Sequence, residues 1–218
     1  MKNFVIVGAG GFGREVYSWL RDWIVAETER RYEFQVKGFL SLDKTELDGF
    51  NLPVPILGNE QSYDLAADDL VVLALGQIHT KKRAVKTLLE AGAKFFTLIH
   101  PTAVVCKTVT IGEGCVFAPF TLVSGSHVSL GNYVMLNGFS SVGHDAKVGD
   151  YSILCPYATL NGFVTLENEV FIGTHATVVA NKTVGAESRI CANALVVSNV
   201  PEKTTVIGSP GKMMPNLN

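Results

Sequence analysis

The chain has 218 residues, 47% of them hydrophobic and 17% charged, with a formal net charge of −2 at pH 7. That length holds one or two domains with ample core, and the near-balanced charge excludes the basic surface that nucleic acid or anionic membrane would require. No apolar run is long enough to span a membrane and no charged leader precedes the first apolar stretch, so a cytoplasmic protein is expected.

The first predicted element is a buried strand over residues 3–8, followed at Gly8-Ala9-Gly10-Gly11-Phe12-Gly13 by a helix running to about Ala26. A G-x-G-x-x-G turn between strand and helix brings backbone N–H groups and a helix N-terminus toward a phosphate. Taken alone the motif also fits a purely structural strand-to-helix turn. A second strand is predicted at Phe34 to Leu40; a dinucleotide fold places an acid at the end of this strand, and here Asp43 follows late, after Ser41 and Leu42. Asp69 to Leu75 reads as a strand ending at Gly76, Thr80 to Ala91 as a helix and Lys94 to Ile99 as a last strand. Residues 1–97 therefore read as a Rossmann-like α/β half domain, sized for one nucleotide that carries a sugar.

Beyond it the periodicity changes. From Leu130 to Val196 every sixth residue is aliphatic, and four places on a second column holds Ser140, Ala146, Ser152, Ala158, Ala176, Ser188 and Ala194. Helices repeat at 3.6 and strands at 2. A period of six fits short strands that turn a corner each time, three to a triangular coil, as in a left-handed parallel β-helix of hexapeptide repeats. Glycines just after the aliphatic, such as Gly131, Gly143, Gly149, Gly173 and Gly185, are expected near corners where the backbone is tight. Ile99, Val105, Ile111, Phe117 and Val123 carry the pattern upstream, and one extra residue before Leu130 shifts its phase, as a bulge or corner loop would. The β-helix is expected over residues 98–202, with a C-terminal tail at 203–218.

Five histidines offer proton acceptors: His79, His100, His127, His144 and His175. In the hexad beginning at Val142, His144 and Asp145 are the corner residues, free to project outward together. An imidazole titrates near neutrality, and a carboxylate beside it fixes its tautomer, so His144 is a candidate general base. One coil is eighteen residues, which sets Gly162 over His144, where its N–H could meet an oxyanion. The adjacent corner stacks Pro156, Thr174 and Ala192 into a shallow column of small residues. A zinc site on such a prism uses a close pair of histidines; His127, His144 and His175 contain none, and no metal is expected. Cys106, Cys115, Cys155 and Cys191 lack C-x-x-C spacing and read as small packing residues in a reducing compartment.

Several stretches together are similar to one family: Val5-Ile-Val-Gly-Ala-Gly-Gly-Phe-Gly-Arg-Glu-Val16, Leu98-Ile-His-Pro-Thr-Ala103, Val142-Gly-His-Asp-Ala-Lys-Val-Gly-Asp150 and Val206-Ile-Gly-Ser-Pro-Gly-Lys212. The chain resembles the sugar O-acyltransferases of the sialic acid O-acetyltransferase NeuD family, and within it the PglD-like nucleotide-sugar N-acetyltransferases. The resemblance implies an N-terminal domain that binds a nucleotide-sugar, a β-helix that binds acetyl-CoA, a homotrimer with active sites between chains and a role in surface glycan biosynthesis. By position it makes His144 the general base, Asp145 its acidic neighbour and Gly162 the amide that stabilises the tetrahedral intermediate. It sets Asn137 near the site and Gly10, Gly11, Phe12 and Gly76 along the nucleotide-sugar. Ile153, Gly162, Thr174 and Ala192 fall along the coenzyme, with Gly208, Pro210 and Lys212 in a tail near it.

Two departures stand out. Phe12 occupies a position that is often histidine in the family, and Gly38-Phe-Leu-Ser-Leu-Asp43 stands where Gly-Phe-Leu-Asp-Asp is common. Either Asp43 acts from a shifted position or Ser41 replaces the acid, so the residues leave a UDP- and a dTDP-linked substrate both open. The leading expectation is acetyl transfer from acetyl-CoA to the C4 amine of a nucleotide-linked 4-amino-4,6-dideoxy sugar, without metal or covalent enzyme intermediate. Its rivals are O-acetylation of a sialic acid or related sugar, a non-catalytic nucleotide-sugar sensor, and an acyl carrier role for Cys155.

Overall fold

The computed structural model describes residues 2–27 and 33–216. They divide into two compact units, Met1–Pro101 and Thr102–Asn218.

In the first unit β1 (Lys2–Val7) is buried from Asn3 onward, as expected of an interior parallel strand covered on both faces. Helix α1 (Gly11–Glu27) buries Gly13, Val16, Tyr17 and Leu20, the i, i+3, i+4, i+7 stripe of an amphipathic helix. β2 (Phe34–Leu40), β3 (Ile56–Gly58) and β4 (Asp69–Leu73) complete a parallel sheet in the order β3-β2-β1-β4, and α2 (Ile78–Glu90) follows. β3 was not expected: only three residues long and set among prolines, it has too little alternation to be read as a strand. The last expected strand, Lys94 to Ile99, is reduced to one bridge between Phe95 and Val71 and a two-residue strand at Leu98–Ile99. Phe4, Trp23, Phe34 and Phe96 form an aromatic cluster with ring centroids 4.9–5.7 Å apart.

A polar staple fastens the start of this sheet. Asp69 accepts from the Ala66 N–H at 2.9 Å, the Tyr63 hydroxyl at 2.8 Å and the Lys37 ammonium at 3.2 Å. Burial works against the Asp69 charge, but these donors outweigh it and hold the carboxyl below its usual value. Lys37 is pushed up, chiefly by Tyr63 and also by Asp69, while burial raises the Tyr63 phenol.

The second unit is the expected parallel β-helix. Two-residue strands eighteen positions apart pair in register: Ser141 with Thr159 and Thr159 with Thr177, Lys147 with Thr165 and Thr165 with Thr183, Met135 with Ile153 and Ile153 with Phe171. All twelve aliphatics from Leu130 to Val196 are buried, at most 3% exposed, and the small-residue column beside them is buried too. The tail adds Thr204–Ile207 in parallel to Arg189–Ile190 and folds back antiparallel through Lys212–Pro215.

The corners correct one expectation. Left-handed backbone falls on the second corner residue of each hexad, from His127 through Asp145, Phe163 and Asn181 to Asn193, with φ between 57° and 63° and no glycine among them. From Tyr133 onward each such residue is held by the preceding coil: the Asp145 N–H donates to Ser126 O, Phe163 N–H to His144 O and Asn181 N–H to Gly162 O, at 2.9–3.1 Å. The recurrent glycines are not the left-handed residues. They are needed because neighbouring coils approach closely: a Cβ on Gly143 would lie 2.9 Å from the Gly162 nitrogen, and one on Gly173 2.6 Å from that of Ala192.

Candidate active site

Two sites emerge, one in each unit. In the first, the turn from β1 into α1 lines a cavity of about 400 Å³ together with the ends of β2 and β4. The glycines there have separate tasks. A Cβ on Gly8, at φ 104°, would lie 2.6 Å from the Ala74 carbonyl, and one on Gly13 would strike the Gly8 carbonyl, so these two set the turn and the helix approach. Gly10 faces open space, with only Glu46 Oε1 near, 3.4 Å from where its Cβ would be. α1 starts at Gly11 with no acidic residue in its first turn, leaving its positive dipole end turned to the cavity for an anion.

Gly10, Gly11, Phe12, Ser41, Asp43 and Gly76 all line this cavity, so the structure brings together the six residues of this domain singled out from sequence. Phe12 packs edge-on against Trp19, 5.7 Å between centroids, and gives the cavity an apolar wall. Asp43 is engaged locally: its Oδ1 accepts from both the N–H and hydroxyl of Thr45, which lowers its carboxyl below the ordinary value. Glu46, which sequence reasoning missed, is the more inward acid. Its Oε2 accepts from the Ser41 hydroxyl, its carbonyl lies 3.5 Å from the Arg14 guanidinium, and that guanidinium stacks 3.6 Å over Phe50. The signal lay in its position within a turn-rich segment closing over the glycine loop, which strand spacing does not reveal.

In the second unit, the corner between Ser141–Val142 and Lys147–Val148 carries His144 and Asp145. His144 Nδ1 lies 2.9 Å from Asp145 Oδ2. A carboxylate only accepts, so Nδ1 is the donor, and in the neutral ring Nε2 is the nitrogen that carries the lone pair. A Cβ on Gly162 would lie 2.5 Å from both Cε1 and Nε2, placing the glycine backbone directly at the ring. Phe163 stands edge-on to it at 5.2 Å. At the equivalent place on the next corner of the prism, the Asn132 and Asp150 amides donate to side chains of the following coil. The Gly162 amide donates to no group among the described residues.

The other β-helix candidates lie elsewhere in this chain. Asn137, Thr174 and Ala192 belong to the neighbouring corner, whose second positions form a stack of rings: Phe120, Phe139, Tyr157 and His175, 4.6–5.0 Å apart. Asn137 donates through its amide to Leu154 O at 3.0 Å. Ile153 is buried at 1% exposure, and Val116 and Met135, beside it on the same face of this sheet, are covered as well. Gly208, Pro210 and Lys212 are exposed on the closing hairpin. Of the remaining histidines, His79 is exposed and His100 is buried with Nε2 3.2 Å from Asp22. Burial raises the Cys155 thiol, disfavouring the thiolate an acyl carrier needs. Among the described residues no cluster of histidine, cysteine and acidic side chains is disposed to hold a metal ion, and no helix is long and apolar enough to cross a membrane.

Comparison with known proteins follows the same two-part organisation. Residues 3–88 match the PglD N-terminal domain. The chain is 29% identical over 158 residues to the GDP-perosamine N-acetyltransferase of Escherichia coli O157:H7, covering 69% of this chain and 66% of that protein. It is 30% identical over 116 residues to the UDP-N-acetylbacillosamine N-acetyltransferase of Bacillus subtilis strain 168, covering 53% and 51% respectively. These matches thus span between half and two thirds of the curated relatives. The crystal structure of PerB from Caulobacter crescentus with CoA and GDP-perosamine is similar at a TM-score of 0.84 and 25% identity, over 98% of both chains. The chain is therefore similar along its length to the PglD-like acetyltransferases, and its N-terminal domain is of the PglD type.

Proposed function

We propose that the protein transfers an acetyl group from acetyl-CoA to the C4 amine of a nucleotide-linked 4-amino-4,6-dideoxy sugar. The observation that carries this reading is the His144 ring, anchored through Nδ1 to Asp145 and with its Nε2 against the Gly162 backbone. The amine lone pair attacks the thioester carbon and a C–N bond forms. Nε2 takes the amine proton, the carbonyl oxygen becomes an oxyanion beside the Gly162 N–H, and the C–S bond breaks as the tetrahedral intermediate collapses. The proton held by His144 then passes to the departing thiolate. A thioester is already activated, so no enzyme nucleophile and no metal are needed.

The N-terminal cavity supports a nucleotide diphosphate acceptor: α1 directs its first amides at the anion, and Phe12 supplies an apolar wall. Glu46 supports a ribonucleotide, UDP before dTDP, because a carboxylate with an oxygen turned to the cavity can accept from a ribose hydroxyl. The names and bound ligands of the similar proteins agree with a nucleotide-sugar acceptor and a CoA donor. The separation of Asn137, Thr174 and Ala192 from His144 onto another corner supports a homotrimer in which a second chain completes the coenzyme site. A cytoplasmic location, where acetyl-CoA is available, belongs to the same reading.

Incubation with acetyl-CoA and a panel of UDP-, dTDP- and GDP-linked 4-amino sugars, followed by mass spectrometry, tests it. One added acetyl group on an amino nucleotide-sugar is the expected result. Acetylation of free sialic acids alone would transfer the assignment to O-acetylation, and binding of nucleotide-sugar without binding of acetyl-CoA would make the protein a sensor.

A further inference from the structure

The single phase break in the six-residue pattern lies directly beneath the His144 corner. Between Val123 and Leu130 the chain spends one residue more than a hexad, and the enlarged corner, Ser124 to His127, is pressed against the base. A Cβ on Gly125 would collide with the His144 Cβ, and Ser126 O accepts the Asp145 N–H at 3.0 Å. His127 then occupies the left-handed position one coil before Asp145, with φ 61° against 60°. Its Nδ1 lies 3.6 Å from Asp145 Oδ1, while Asp145 Oδ2 serves His144 Nδ1 at 2.9 Å. The carboxylate thus stands between two imidazoles, one on each oxygen.

We infer that His127 is a positioning residue for His144, acting through Asp145. A carboxylate held on one oxygen swings about its Cβ–Cγ bond; engaged on both, it keeps a single plane, and the His144 ring keeps its tautomer and its aim at Gly162. His127 is 82% exposed, which screens the contact and sets its effect below that of Asp145 itself. The distance is longer than a hydrogen bond, as such contacts often are before substrate closes the site. No regular corner needs the extra residue, and this one has its reach spent on the base.

The inference rests on the transfer reading, and the experiment separates the two. His127→Ala should lower kcat roughly tenfold with KM for both substrates unchanged, and His127→Asn, which keeps an N–H donor, should recover most of it. In an Asp145→Asn background His127→Ala should have no further effect. Nitrogen NMR of labelled histidine should show His144 protonated at Nδ1 in the wild-type protein and mixed tautomers in His127→Ala. A kcat for His127→Ala within twofold of wild type, or the same loss with and without Asp145, overturns the inference. Absence of transfer by the wild-type protein overturns the transfer reading alone; the spectra then decide the role of His127, since an unchanged His144 tautomer in His127→Ala removes it.

Discussion

The Gly162 backbone and the His144 imidazole share one small space, so close that a methyl at position 162 would fall 2.5 Å from the ring's Cε1 and Nε2. Gly162→Ala is therefore expected to displace the base although it retains the amide. Since a positioned general base contributes about 10²- to 10⁴-fold in other enzymes, turnover should fall by roughly two orders of magnitude. An unchanged circular dichroism spectrum with lost turnover would locate the defect at the site.

His144→Ala removes the proton acceptor itself. Turnover should drop by roughly two to four orders of magnitude while the affinity for nucleotide-sugar, measured by calorimetry, stays near wild type, because the two sites belong to different units. Near-normal turnover would reject the assignment.

Cys155→Ala should retain nearly full activity. Its thiol is raised by burial and therefore carries less thiolate near neutral pH than a free cysteine. Isolation of an acetyl-cysteine at position 155 would reverse that conclusion.

Glu46 makes the nucleotide's sugar a measurable variable. Binding of UDP should exceed that of its 2′-deoxy counterpart by about tenfold, the worth of a hydrogen bond to a charged group. Glu46→Ala should erase the difference. Equal binding of the two by the wild-type protein would assign Glu46 to holding Ser41 and nothing more.

The staple at Asp69 has a defined pH signature. Its folded pKa is lowered, so its contribution is present above the ordinary carboxylate value of about 3.9 and is lost as pH falls through the lower folded value. Lys37 and Tyr63 are raised, so theirs is present below about 10 and lost on the alkaline side as pH climbs through their folded values. Asp69→Asn should destabilise the first unit by about 3 kcal/mol at neutral pH, with the gap to wild type closing in strong acid. Chemical denaturation at several pH values measures it.

What was legible in the sequence was whatever has a period or a motif. The aliphatic beat located twelve buried residues of the prism from Leu130 to Val196, and adding eighteen put Gly162 on His144. What was not legible depends on three-dimensional crowding. Gly143 and Gly173 read as tight-turn residues, yet they make room for the next coil, while the strained backbone sits on Asp145 and Phe163, whose side chains give no hint of it. Glu46 was invisible because its segment has no repeat, and the burial of Ile153 was not legible because strand alternation alone would leave it outside. Asn137 and His144, seven residues apart, look like neighbours along the chain and lie on different corners of the prism.

The left-handed corners also bear on how such a molecule comes into being. Each residue in that conformation costs about 1 kcal/mol relative to ordinary backbone, and from Tyr133 onward each is anchored by an N–H to the coil before it, as Phe163 is to His144 and Asn181 to Gly162. A newly formed coil therefore finds its strained bend already moulded by its predecessor. The prism behaves as a template that extends itself in one direction, and an interrupted coil leaves the following one without a mould.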